Sequence, residues 1–148
     1  MINITSLAFS NNEMIPRKYA CDGVNINPPL FIENVPDNTQ SLLLIVSDPD
    51  AKIGTWIHWL VFNMDPSIDE VKENSLPGNA ILGTNTSGKI GYEGPCPPIG
   101  ETHRYFFRIY ALDIIIEAGE GADINKIENI MEEHIIEEGQ LMGIYSIS

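Results

Sequence analysis

Gly91-Tyr-Glu-Gly-Pro-Cys-Pro-Pro-Ile-Gly100-Glu-Thr-His103-Arg-Tyr-Phe-Phe-Arg-Ile-Tyr110-Ala-Leu-Asp113 is the segment from which the rest of the chain is read. Its first half carries Pro95, Pro97 and Pro98 among three glycines, so the loop has few conformations to lose on folding. Its second half, His103 to Leu112, is rich in aromatic and β-branched residues and reads as a strand. Strand side chains alternate, which places His103, Tyr105, Phe107 and Ile109 on one face and Arg104, Phe106, Arg108 and Tyr110 on the other. A stiff loop feeding a strand that opens on His and Tyr is a way to build a small preformed polar pocket.

Further strands surround this one. Residues Ile2 to Phe9 alternate in part and fit a short edge strand, and Leu30 to Ile32 is extended. Gln40 to Ser47 is a continuous apolar run of strand length, as expected for a central strand buried on both faces. Thr55 to Asn63 is a second strong strand, with Trp56, His58, Leu60 and Phe62 expected to point one way. Pairing these two as a hairpin sets Asp48 beside Trp56 and His58. Asp65 to Gly83 is polar and reads as loop. The one predicted helix is Asp123 to Glu138, with Asp123 as N-cap, an apolar stripe from Ile124 to Ile135, and Gly139 as terminator. Its four late glutamates oppose the helix dipole, so it should depend on docking. Leu141 to Ile147 is a candidate last strand.

The 148 residues suit one domain spanning residues 1–148. A hydrophobic fraction of 43% argues against disorder, and a net charge of −13 argues against nucleic acid or an anionic membrane surface as partner. No basic and apolar leader and no membrane-length apolar run is visible, so a cytoplasmic protein without membrane insertion is expected. Cys21 and Cys96 lack a Cys-x-x-Cys spacing and read as two reduced, mostly buried thiols.

The strand pairing converges Asp48 and Asp50, His58, and His103 with Tyr105. Carboxylates beside imidazoles fix a tautomer or hold a charge, and two histidines beside turn N–H groups suit an anion. The bland alternative is a core histidine satisfied by a neighbouring carboxylate. Asp, Asp, His and His could also ligate zinc or iron, but no pair has helical i, i+4 or His-x-His spacing, so no metal and no cofactor are expected. Cys96 with His103 would be the only nucleophile pair, and no Gly-x-Ser-x-Gly elbow is present. The chain is therefore read as a binding protein and not an enzyme, with a weak hydrolase resting on Cys96 and His103 as a third reading. His134, flanked by glutamates, reads as a bystander.

Asp48-Pro-Asp-Ala, Trp56-x-His58-Trp, Gly94-Pro-Cys-Pro-Pro and Gly100-x-x-His103-Arg-Tyr105, in this order, resemble the signature segments of the phosphatidylethanolamine-binding protein family. With Cys21-Asp-Gly and Asn27-Pro-Pro, they resemble in particular its bacterial and archaeal Raf-kinase-inhibitor-like branch. The resemblance covers nearly the whole chain. It implies a mainly β fold of two antiparallel sheets, a large central one and a smaller one, with few helices. It also implies an anion pocket for phosphate-like groups, including phosphoethanolamine, lined by Asp48, Asp50, Trp56, His58, Gly94, Pro97, His103 and Tyr105. In that pocket His58 and His103 would donate to phosphate oxygens, Tyr105 would add a hydroxyl, Trp56 would form a wall, and Asp48 would orient a histidine or meet a ligand amine. Two departures stand out: Lys52 where the branch often has proline, and Glu93 beside the pocket loop. The expected output is regulation of another protein. The alternative is an interaction module inhibiting a kinase or protease, with a vestigial pocket. A homodimer is expected by analogy only.

Overall fold

A computed structural model describes residues 1–148. Nine strands and one α-helix form two sheets. The small sheet joins β1 (Asn3–Thr5), β3 (Leu30–Glu33) and β6 (Glu70–Val71) in the order β1-β3-β6. The large sheet has the order β2-β9-β8-β4-β5-β7. It is built from β4 (Ser41–Asp48), β5 (Trp56–Met64), β8 (Thr102–Leu112) and β9 (Ile135–Ser146), edged by β2 (Glu13–Met14) and β7 (Ile81–Leu82). The two-residue strands β6 and β7 lie in the stretch read as loop, and are too short to leave a periodic signal. The large sheet is mixed, because β2 pairs parallel with β9.

β4 lies at the centre because Leu42 to Val46 are all apolar, while Ser41 and Asp48 at its two ends find hydrogen-bond partners from distant parts of the chain. All eight residues are buried. Leu42, Leu44 and Val46 enter the core between the two sheets, and Leu43 and Ile45 enter a second core on the opposite face. Each such side chain contributes about 1.5–3 kcal/mol by leaving water. The second core is closed by the helix α1 (Ile124–Met131), which inserts Ile127 and Met131.

That helix is half the predicted length. Asp123 does cap it, accepting from the Lys126 N–H at 2.9 Å. After Met131, however, the chain turns and Ile135–Ser146 becomes β9, pairing with β8 along its length. Local periodicity lost to the backbone hydrogen bonds that an exposed β8 edge offers, and the late glutamates gave the helix little to resist with. Gly139 is consequently no helix terminator. It sits in β9 opposite Ile109, where a Cβ would lie 2.5 Å from the Ile2 carbonyl oxygen, so glycine allows β1 to cross close by.

Alternation along β5 also fails. Val46 pairs with Trp59 and Ser47 with Ile57, leaving His58 as the extra residue of a β-bulge. Leu60 and Phe62 therefore face the helix-covered core, while Trp59 and Val61 enter the core between the sheets. The bulge re-aims His58 toward the end of β4. A second bulge near Asn63, at φ 56°, lets its side chain exchange hydrogen bonds with the Ile116 backbone.

Candidate functional site

The C-terminal end of β4 and the starts of β5 and β8 meet under the loop 91–101. There they surround a cavity of about 420 Å³ lined by Asp48, Ala51, Lys52, Ile53, Trp56, His58, Glu93, Cys96, Pro98 and His103. Asp48 pairs in register with Trp56, as the hairpin reading requires.

The two histidines are both buried, at 4% exposure each, yet are held differently. His103 has both ring nitrogens on carboxylates, Nδ1 to Asp48 Oδ2 at 2.7 Å and Nε2 to Glu101 Oε1 at 2.9 Å. Each contact satisfies a protonated nitrogen, so the ring is held as an imidazolium. Burial alone would lower its pKa, but the hydrogen bonds to Glu101 and Asp48 outweigh that and raise it. His58 Nδ1 instead donates to the Glu93 carbonyl at 2.7 Å, while the Glu93 N–H donates back to the His58 carbonyl at 3.0 Å. Burial dominates there and pushes the His58 pKa down. With Nδ1–H committed, the neutral ring keeps the Nε2 lone pair free.

Tyr105, expected in the lining, lies behind these rings and outside it, edge-on to His58 with centroids 5.3 Å apart and stacked near His103 at 6.5 Å. It is fully buried, and its hydroxyl faces Asp48 and the Cys96 backbone without completing a hydrogen bond to either. Burial, with the Asp48 charge added, raises its pKa strongly. Asp48 is fully engaged: besides His103, its Oδ1 accepts from the Asp50 N–H at 2.8 Å.

Asp50 does not reach the cavity. Arg104, on the outer face of β8, donates to it from Nε at 3.0 Å, from its second guanidinium nitrogen at 2.8 Å and from its backbone N–H at 2.9 Å. That fork lowers the Asp50 pKa to about 2. Gly94 and Pro97 do not line the cavity either; they shape the loop above it. A Cβ on Gly94 would sit 1.9 Å from the Tyr19 carbonyl oxygen, so only glycine fits. The Gly94 N–H donates to Asn25 Oδ1 at 2.8 Å, Tyr92 Oη donates to the Tyr19 carbonyl at 2.8 Å, and the Cys21 N–H donates to the Pro95 carbonyl at 3.0 Å.

A Cys21–Cys96 disulfide completes this fastening. It corrects the expectation of two reduced, buried thiols, since Cys96 is exposed and neither thiol is free. The folded loop supplies what sequence spacing could not: Cα atoms brought to 5.4 Å across a separation of 75 residues. With its sulfur bonded, Cys96 offers no thiolate for a Cys–His hydrolase. No three His, Cys, Asp or Glu side chains close on a common point as metal ligands would. No helix is long and apolar enough to cross a membrane.

Residues 5–146 match the family model described as phosphatidylethanolamine-binding protein. The chain belongs to the phosphatidylethanolamine-binding protein family. Archaeal and bacterial relatives agree. A UPF0098 protein of Pyrococcus horikoshii is 47% identical over 147 residues, covering 95% of this chain and 74% of the relative. One of Chlamydia trachomatis is 44% identical over 149 residues, covering 97% and 98%. Among solved structures, a putative phosphatidylethanolamine-binding protein homologue from Chlamydia trachomatis superposes with a TM-score of 0.94 at 43% identity, covering 99% of this chain and 98% of that one. Escherichia coli YbcL, described as a new member of the mammalian family, gives 0.93 at 26% identity, with 99% of both chains covered. The family's mainly β, two-sheet fold is thus the fold of this chain.

Sequence reasoning missed Glu101, which folds back over His103 from a loop position with no pattern to mark it. It also missed Ala51, Ile53 and Pro98, whose apolar surface makes up much of the wall. Lys52 and Glu93, noted only as departures, both line the cavity.

Proposed function

We propose that this family member binds a small phosphate-bearing ligand, of the phosphoethanolamine type, in the cavity between His58 and His103, and that occupancy regulates a partner protein. The observation that carries this reading is a cationic His103 ring on one cavity wall facing a neutral His58 ring on the other. His103 is positive at the cavity wall, and Lys52 adds a second cation at the mouth. A phosphate oxygen in the cavity can take the His103 Nε2–H in place of Glu101 through a charge-assisted hydrogen bond. Ile53, Trp56 and Pro98 suit the short carbon chain of a phosphate ester.

NMR titration of the three histidine rings with phosphoethanolamine and with inorganic phosphate tests this. The His58 and His103 signals should shift together and saturate, while half-buried His134, paired with Asp113 just past the far end of β8, stays put. No movement at millimolar ligand would overturn the reading. A second reading, docking of a protein at the pocket rim, is favoured by Ile53 and Ile99, each 80% exposed. In that case partner inhibition would survive His58→Ala, whereas a ligand-gated output would not.

A further inference from the structure

Asp48 and Glu93 line the cavity, Asp50 and Glu101 stand just outside its lining, and all of them but Glu101 are spoken for. Both oxygens of Asp48 accept hydrogen bonds, from His103 and from the Asp50 N–H. Asp50 is gripped by Arg104. Glu93 Oε2 accepts from Ser87 Oγ, turning its charge toward the Ser87 turn. Glu101 differs. Its Oε1 accepts from His103 Nε2 at 2.9 Å, and its Oε2 stands 3.6 Å from Lys52 Nζ. The side chain is 36% exposed and that of Lys52 78%, so both sit at the rim and can turn.

The Glu101 backbone, by contrast, is fixed. The Gly100 N–H donates to Ile147 at 2.8 Å, the Glu101 N–H to Pro98 at 3.0 Å, and Gly100 takes φ +87°. Only the side chain has to rotate to release His103.

His103 Nδ1 is committed to Asp48, so Nε2–H is the donor the ring can present to a ligand, and Glu101 already occupies it. An incoming phosphate must displace that carboxylate. A bare anion then leaves Glu101 negative beside a second negative charge, with Lys52 alone to answer it. A ligand carrying an ammonium a few bonds from its phosphate restores what Glu101 lost. We propose that Glu101 is the specificity-determining residue of the pocket, an internal anion that yields His103 to phosphate and then takes the ligand's ammonium, so that zwitterionic phosphate–amine ligands are preferred over bare phosphates. The contacts of Glu101 to the two lining cations, His103 and Lys52, and the full engagement of Asp48 support it: neither Asp48, Asp50 nor Glu93 holds a contact to His103 Nε2 that a ligand must break. This rests on the anion-pocket reading above.

Ethyl phosphate and phosphoethanolamine have the same ester skeleton and differ by the ammonium, so their affinities isolate this contact. By calorimetry, the wild-type chain should prefer phosphoethanolamine by about tenfold, the usual size of one charge-assisted contact. Glu101→Gln should bring the two ligands to within about twofold of each other by removing that contact, chiefly by tightening ethyl phosphate. Glycerophosphoethanolamine, a diester like a lipid headgroup, is titrated alongside; the tighter-binding ester identifies the source, and Glu101→Gln must weaken its advantage over ethyl phosphate. An unchanged preference in Glu101→Gln, with ethyl phosphate still bound, overturns the role of Glu101 and leaves the anion pocket standing. Failure of every ligand on both proteins overturns the two together. His58, His103 and His134 ring signals confirm that the variant is folded.

Discussion

His58 and His103 rise from the two strands that flank β4, line one cavity and are equally buried, yet they are built for opposite charge states. On the β5 side a backbone carbonyl holds the ring and burial keeps it neutral. On the β8 side two carboxylates hold it and keep it positive. Residue type alone does not say which histidine is which. The difference comes from what each strand delivers next to the ring: a loop peptide over β5, and the acidic end of β4 with Glu101 over β8. The cavity between them therefore has an imidazolium on one wall and a lone-pair acceptor on the other.

The sharpest way to break this asymmetry is to remove the charge that sustains it. Asp48→Ala leaves a buried imidazolium with Glu101 alone, and should cost about 3–5 kcal/mol in urea unfolding at neutral pH. The His103 ring should titrate lower in the same variant. A cost under about 1 kcal/mol would mean that the pair is no more than a surface contact.

The β5 side depends instead on the loop. The double variant Cys21→Ser with Cys96→Ser removes its covalent anchor and should lower stability by about 2–4 kcal/mol. Its ring signals should report unequally: His58, whose Glu93 partner belongs to that loop, shifts, while His103, held by Asp48 at the end of β4, moves less. Equal disturbance of both rings would show that the loop governs the whole pocket.

The smallest effect is the pH dependence, and the two rings contribute with opposite sign. The folded pKa of His103 lies above the ordinary 6.5, so its charged form adds stability below 6.5 that is lost as pH rises through the raised value. The folded pKa of His58 lies below 6.5, so its neutral form adds stability above 6.5 that is lost as pH falls through the lowered value. Ring titrations should place the two on either side of 6.5. Coincident curves would dissolve the comparison.

Much of this was legible beforehand. The apolar run of β4, the aromatic strands β5 and β8, and the Asp48–Trp56 register follow from composition and hairpin logic, and they bring Asp48, Trp56, His58 and His103 to one cavity. Where the reading strayed, a tertiary partner had overruled a local pattern. Ile135 continues the helical stripe but pairs with Leu112 of β8 instead. Asp50 shares a motif with Asp48 yet is drawn outward by Arg104, a residue 54 positions away. The bulge at His58 needs two strands to exist, so no single-strand periodicity contains it. Glu101 carries no signal at all, since a glutamate after Gly100 is equally at home in water.

The Cys21–Cys96 bond turns residues 21–96 into a covalent ring that contains β3 to β7 and the roof of the pocket, with β1, β2, β8, α1 and β9 on its two tails. One proteolytic cut inside the ring opens it without separating anything, and the nicked chain still migrates as one molecule until a reductant is added. One cut in a tail instead gives two chains that separate on denaturation without any reductant.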